Sequence, residues 1–237
     1  MRVEDVLARR TDLSTFLVHL TRNKGGVSGK ERLKDILEQE KLVAGSPMGQ
    51  AVKRLTKSGI DTSSQKCVSF TETPLEHVSL LVGDIKGRQC SFESYGVAIT
   101  KKQGRMAGVN PVWYVDITPG HNWLTKYIDQ LIDDAIKIHA FNDSTIAKLS
   151  PFFEQMGTQG GNYKKEFWWE REWRVNGDFF FPFTYIVLCP EGEISEFKAI
   201  TDNSSRSQHV SFVDPKWSLE QIIARLAFFR KEEVDPF

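Results

Sequence analysis

Hydrophobic and polar positions along the 237 residues switch between two periods, and the switches predict the elements. β-branched, aromatic and apolar residues dominate Thr15 to Thr21, which predicts a first strand with His19 and Thr21 on one face. A basic Gly-rich loop comes next, and Ser28 with Glu31 forms a capping box that opens a helix over Lys30 to Glu40, with Leu33, Ile36 and Leu37 at helical spacing. Lys66 to Glu72 predicts a second strand stopped by Thr73-Pro74, then a short helix over Leu75 to Val82. Tyr95 to Thr100 and Val112 to Ile117 predict two more strands. Leu124 to Phe141 is the clearest amphipathic helix, with Leu124, Tyr127, Ile128, Leu131, Ile132, Ala135 and Ile138 on one face.

The Gly-containing stretch Gln155 to Lys165 predicts a mobile segment, a lid over the acidic strand after it. That strand is Trp168 to Val175, where period-2 alternation sends Glu170, Glu172 and Arg174 to one face and Trp169, Trp173 and Val175 to the other. Such a face is either a solvated ion-pair ladder or the lining of a cleft. Tyr185 to Cys189 predicts a buried strand, Ile194 to Ile200 and His209 to Val213 two further strands, and Leu219 to Lys231 a closing helix. Strands outnumber helices without regular alternation. The fold class is therefore α+β, a mixed or mainly antiparallel sheet in a single domain spanning 1–237.

Composition narrows the chemistry. With 31 basic and 31 acidic residues there is no net field toward nucleic acid or an anionic membrane. Three widely spaced cysteines suit reduced, packed thiols, and no segment approaches the run of about 18 apolar residues that a span requires, so a soluble, cytoplasmic protein is expected. The loop around Gly25 to Lys30 fails the phosphate-loop pattern, because Lys24 stands at the first glycine position and Glu31 where Ser or Thr belongs. The five histidines show no ligand spacing, so no metal site is expected, and no G-x-S-x-G elbow is present.

His19 with Thr21 is a suitable pair for a ribose diol, and Ser69 with Thr71 places two hydroxyls at the end of the second strand. The bland reading of both is β-propensity and strand capping. The aromatic stripe Phe167, Trp168, Trp169 and Trp173 reads as core and cleft wall, with ring stacking on a flat heterocycle as its functional alternative. A divalent-metal nuclease on Glu170, Glu172 and Asp116 is a further reading, but it leaves the hydroxyl pairs without a task.

The order of these features, His-x-Thr, then Ser-x-Thr, then a late Glu-x-Glu, resembles the ADP-ribosyltransferase superfamily. A closer resemblance is to the AbiGi abortive-infection family and the related DUF2971 proteins. It rests on Ser69-Phe70-Thr71-Glu72-Thr73-Pro74-Leu75, Tyr95-Gly96 with Thr100-Lys101, Asn110-Pro111-Val112 with Tyr114, and Glu170 to Arg174, over residues 17 to 175. The resemblance implies an ADP-ribosyltransferase-like split sheet with flanking helices. It further implies NAD as substrate, with His19 and Thr21 on the adenine-side ribose and Ser69 and Thr71 near the nicotinamide ribose. Tyr95 would stack, Glu172 would be the catalytic glutamate, and Glu170 would orient the nucleophile. The acceptor would be a macromolecule, protein or nucleic acid, the latter steered by Lys24 to Arg32 with Lys53, Arg54 and Lys57. The AbiGi family is also described as the antitoxin half of a two-gene phage-resistance system, which implies instead a non-catalytic partner of a cognate toxin.

Overall fold

The structure, a computed structural model, describes residues 12–227 apart from 87, 89, 159–163 and 204–208. In chain order the elements begin with β1 (Phe16–Leu20), α1 (Gly29–Gln39), β2 (Lys41–Leu42), β3 (Ser46–Pro47), α2 (Val52–Lys57), β4 (Lys66–Thr71), β5 (Gly96–Thr100) and α3 (Lys101–Met106). They continue with β6 (Asn110–Pro111), β7 (Trp113–Asp116), α4 (Trp123–Lys137), α5 (Thr145–Leu149), β8 (Phe153–Thr158), β9 (Lys164–Lys165) and β10 (Glu172–Asn176). The last are β11 (Phe179–Phe180), β12 (Thr184–Leu188), α6 (Ile194–Asp202), β13 (His209–Val213) and α7 (Leu219–Leu226). The protein is α+β with a mixed sheet.

The chain forms two compact units. The first comprises the described residues through Lys41, Phe70–Gly108, and those from Phe180 on; the second comprises Leu42–Ser69 and Val109–Phe179. In the first unit the strands run β13-β12-β5-β1, with the end of β4 beside β1 where Val18 meets Thr71. β12 and β13 are parallel and joined through α6, whereas β12, β5 and β1 are antiparallel neighbours. Phe16, Val18 and Leu20 alternate onto a core of Leu75, Val78, Leu81, Ala98, Ile186, Leu188 and Val213, closed by Ile222 of α7. Helix α1 starts where the capping box predicts, with the Ser28 hydroxyl accepting from Glu31 N–H, buries Leu33 and Leu37, and ends at Glu40 in the left-handed region.

In the second unit β3, β4, β10 and β6 are neighbours, and β7 pairs in parallel with β8, which carries β9 antiparallel. Its core gathers Ala51, Leu55, Val115, Ile128, Ile132, Ala135, Phe141, Ile146, Ala147 and Phe153.

Several expectations are corrected. The strand expected from Trp168 to Val175 is broken: Trp168–Glu170 form a 3₁₀ turn, Arg171 sits at φ 47°, and the strand begins only at Glu172. Period-2 alternation therefore links Glu172 to Arg174 and does not extend to Glu170. The segment expected to be a mobile lid is strand β8 as far as Thr158, held by β7 in register Trp113↔Phe153, and residues 159–163 lie outside the described residues. Ile194 to Ile200, expected as a strand, is helix α6, because Ile194, Phe197 and Ile200 recur every third residue and Phe197 is fully buried. The basic residues Lys53, Arg54 and Lys57 lie on helix α2. In α4 the buried stripe is Thr125, Ile128, Ile132 and Ala135, while Leu124, Tyr127, Leu131 and Ile138 of the apolar face read from the sequence are exposed.

Candidate functional site

The strongest cluster of charged side chains in the second unit is centred on Arg174. Strand β10 is fixed on one side by β6, where Arg174 pairs with Asn110, and at its start by the Glu172 carbonyl accepting from Val112 N–H at 2.9 Å. Glu172 and Arg174 project from the same face, two residues apart. The guanidinium donates from Nε to Glu172 Oε1 at 2.8 Å and from Nη2 to Glu172 Oε2 at 2.7 Å, a two-pronged pair. Nη1 donates to the Pro151 carbonyl at 2.6 Å, and Nη2 also reaches Glu154 of β8, whose other oxygen pairs with Lys165 of β9. Two carboxylates thus face two cations.

Arg174 is buried, yet it keeps its charge. Burial alone would lower its pKa, but the attraction of Glu172 and Glu154 outweighs burial and holds it above the ordinary guanidinium value. For Glu154 burial pushes upward, and Arg174 and Lys165 together pull its carboxyl below the usual carboxylate range. Tyr114 packs beside the cluster, its oxygen accepting from Glu172 N–H at 3.0 Å, and burial pushes its phenol up to about 12. Cys67 also lies nearby, with its thiol against Asn176 Oδ1 at 3.2 Å, and burial raises it to about 11, which keeps it a thiol.

The other expected site residues divide between the units. His19, Thr21, Thr71 and Tyr95 belong to the first, whereas Ser69, Glu170 and Glu172 belong to the second. His19 lies opposite Val97 with its ring edge-on to Phe70 at 6.0 Å. Thr21 is buried and has structural work: its hydroxyl proton lies between the carbonyls of Gly29, at 2.9 Å, and Tyr95, at 3.1 Å, and its N–H donates to Tyr95 O at 2.8 Å. It ties the end of β1 to the start of α1 and to the residue before β5. Thr71 exchanges a hydrogen bond with the Thr73 hydroxyl at 2.8 Å. The Tyr95 hydroxyl donates to the Glu193 carboxylate at 3.1 Å, and its ring lies 6.0 Å from that of Phe197. Burial and that carboxylate push its phenol up to about 12.

Sequence reasoning missed the partners. Glu72, nearly fully buried at the end of the Ser69–Glu72 run, pairs with Lys101 at 3.0 Å, so the Ser-Phe-Thr-Glu and Tyr-Gly motifs are joined by an ion pair. Gly96 lies opposite Leu20, and a Cβ there would come within 2.2 Å of the His19 carbonyl oxygen, so only glycine lets β5 approach β1 this closely. Glu154 and Lys165 carried no signal, because Glu154 meets Arg174 from a strand of another sheet and Lys165 joins through the pairing of β9 with β8. Among the described residues no group of three or more His, Cys, Asp or Glu is placed to hold a metal ion. No helix among them is long and apolar enough to cross a membrane.

A family model described as "Putative abortive phage resistance protein AbiGi, antitoxin" matches residues 46–214. The chain belongs to the AbiGi family. The matched stretch contains Ser69, Thr71, Tyr95, Glu170 and Glu172, together with Glu154 and Arg174, while His19 and Thr21 precede it. AbiGi membership links the protein to abortive phage resistance through a family described as antitoxin. No curated protein matches the chain, and no solved structure does.

Proposed function

We propose that this chain is a non-catalytic antitoxin of a two-gene abortive-infection system, and that it restrains a cognate toxin protein by binding it. The observation that carries this reading is the state of Glu172. A glutamate that stabilises an oxocarbenium-like ribose turns its negative charge on the substrate 2′-hydroxyl and the developing positive charge. Both Glu172 oxygens here are engaged by the buried Arg174, whose positive charge opposes that role. A carboxylate spent in this way holds the arginine of its own strand in place, and that arginine in turn reaches Glu154 of β8. Membership in a family described as antitoxin supports the same reading.

The alternative reading is an NAD-dependent ADP-ribosyltransferase that modifies a protein or nucleic acid, with Glu172 and Glu170 at the reacting centre and His19, Thr21, Ser69, Thr71 and Tyr95 around NAD. One experiment separates the two. The purified protein and its Glu172→Gln variant are incubated with labelled NAD and cell lysate, and each is co-expressed with the toxin encoded beside it. The antitoxin reading expects no nicotinamide release, co-purification with the toxin, and rescue of growth. Label transfer by the native chain that the variant loses would establish the transferase instead.

A further inference from the structure

Helix α4 carries two apolar stripes, and the fold uses one. Thr125, Ile128, Ile132 and Ala135 are buried, but Trp123 is 67% exposed, Tyr127 64%, Leu131 57%, Ile138 73% and Leu124 42%. At about 100° of rotation per residue, these five side chains fill one continuous arc of roughly 100° beside the buried stripe, interrupted only by Asp134. Taking about 150–250 Å² for each large side chain, the arc offers about 600 Å² of apolar surface, at the upper end of the largest patch on an ordinary monomer. Scattered exposed apolar residues need no explanation, but a helical stripe of this size does.

A polar row that crosses the edge of the arc and enters it at Asp134 points to what covers it. Lys126, Gln130 and Asp134 succeed one another at i, i+4 and i+8, with the neutral residue in the middle and opposite charges at the ends. When two copies of a helix pack antiparallel about a two-fold axis, the same flank of each meets the other. An axis at Gln130 then sets Lys126 against Asp134 of the partner subunit, and the converse pair forms by symmetry. The apolar arc obeys the same axis: Tyr127 and Leu131 lie at its centre, and Trp123 at one end meets Ile138 of the partner subunit at the other. Within its own helix Asp134 has only an exposed pair with Lys137 at 3.3 Å, which leaves carboxylate oxygens for a second cation. Two such faces bury about 1,200 Å² in total, above the roughly 1,000 Å² that a specific interface needs.

We infer that the protein is a homodimer in which the exposed face of α4 packs antiparallel on the same face of a second copy. This inference stands apart from the antitoxin reading, since it requires only a second copy of this chain.

Sedimentation equilibrium of the full chain across roughly 1–100 μM, a span that brackets a micromolar association, should show a mass moving toward twice 27.1 kDa. Leu131→Glu, a surface change that should leave the far-ultraviolet circular dichroism unaltered, is expected to weaken association at least about 100-fold by placing two carboxylates at the centre. Lys126→Glu sets like charges together at both ends and should weaken it about five- to tenfold, and Lys126→Glu with Asp134→Lys should return it to within about threefold of native. That rescue is the specific signature, because a helix face that merely sticks has no register to restore. A native chain that stays at 27.1 kDa throughout would overturn the inference. So would a Leu131→Glu protein that remains dimeric, or a charge exchange that restores nothing. A monomeric native chain whose toxin binding is lost in Leu131→Glu would also overturn it, and would assign the face to the toxin.

Discussion

If the Arg174 cluster fastens the second unit, its members should show their worth in unfolding. Arg174 has 3% of its side chain exposed, against 21% for Glu172 and 18% for Glu154, so the guanidinium is withdrawn from water while each carboxylate keeps an edge in it. Arg174→Met leaves two carboxylates facing each other with Lys165 as the remaining cation, and breaking a buried pair in this way costs about 3–5 kcal/mol. Glu172→Gln is milder, since the amide oxygen still accepts one bond and Glu154 still balances the arginine. A lost charged hydrogen bond is worth about 1.5–3 kcal/mol, and the solvent at Glu172 brings the expected loss to about 1–2 kcal/mol. With a urea dependence of about 2 kcal/mol per molar, the midpoint should fall by roughly 0.5–1 M for Glu172→Gln and by roughly 1.5–2.5 M for Arg174→Met. Tryptophan fluorescence reads this directly, as Trp173 lies between the paired residues. Neutralising the cluster together, Arg174→Met with Glu172→Gln and Glu154→Gln, should recover much of the loss, because no uncompensated charge is left behind. A Glu172→Gln protein with the native midpoint would refute the reasoning: the carboxylate would then be spare, and available for chemistry.

Three further outcomes rest on contacts already described. Gly96→Ala should destabilise the first unit by about 3 kcal/mol, the upper end for overpacking, because the added methyl meets a backbone carbonyl that cannot swing aside; a midpoint within roughly 0.3 M of native would contradict the close approach. Glu154 has a lowered pKa, so its contribution is present above the unfolded carboxylate value of about 4.3 and lost as pH falls through the lower folded value. Urea midpoints measured from pH 6 down to pH 3 should decline less steeply in Glu154→Gln than in the native chain, and parallel declines would exclude the contribution. Burial raises Cys67 to about 11 and Cys189 to about 12, whereas Cys90 is half-buried, so a thiol reagent at pH 8 should modify Cys90 first; a fast phase that survives Cys90→Ser would contradict this.

The parts of the fold that were legible in the chain are those whose signal is local. β1, β4, β5 and β12 announce themselves by β-branched and aromatic runs, and α1 by the Ser28–Glu31 box, which the structure forms. β8 was not legible: Phe-Glu-Gln-Met-Gly-Thr has neither an apolar run nor clean alternation, and it is a strand because β7 lies parallel beside it. The break before β10 was hidden for another reason. A residue at φ 47° leaves little sequence signature when it is an arginine, so the alternation of residue types runs through Arg171 although the backbone turns there. In α4 the period was right and the buried face only partly so, because a helix with apolar residues around more than half of its circumference does not say which part meets the core.

The same distinction explains why family membership was easier to read than activity. The motifs that carried the resemblance supply contacts within a unit. Glu72 of the Ser-Phe-Thr-Glu run pairs with Lys101 after the Tyr-Gly strand, Gly96 of that strand gives the His19 carbonyl room, and Glu172 of Glu-Arg-Glu-Trp-Arg pairs with Arg174 of the same motif. A pattern of acids, hydroxyls and aromatics at strand spacing looks the same whether the acids await a substrate or hold a cation. The difference lies in the second partner, and for Glu172 and Glu154 that partner is the buried guanidinium of Arg174, which lies two residues along the strand from Glu172 and meets Glu154 across from β8. A carboxylate whose counter-charge is two residues away and buried with it is first a structural element. Chemistry at Glu172 would have to proceed against the positive charge of Arg174, and the Glu172→Gln unfolding experiment measures how much of the stability rests on that pair.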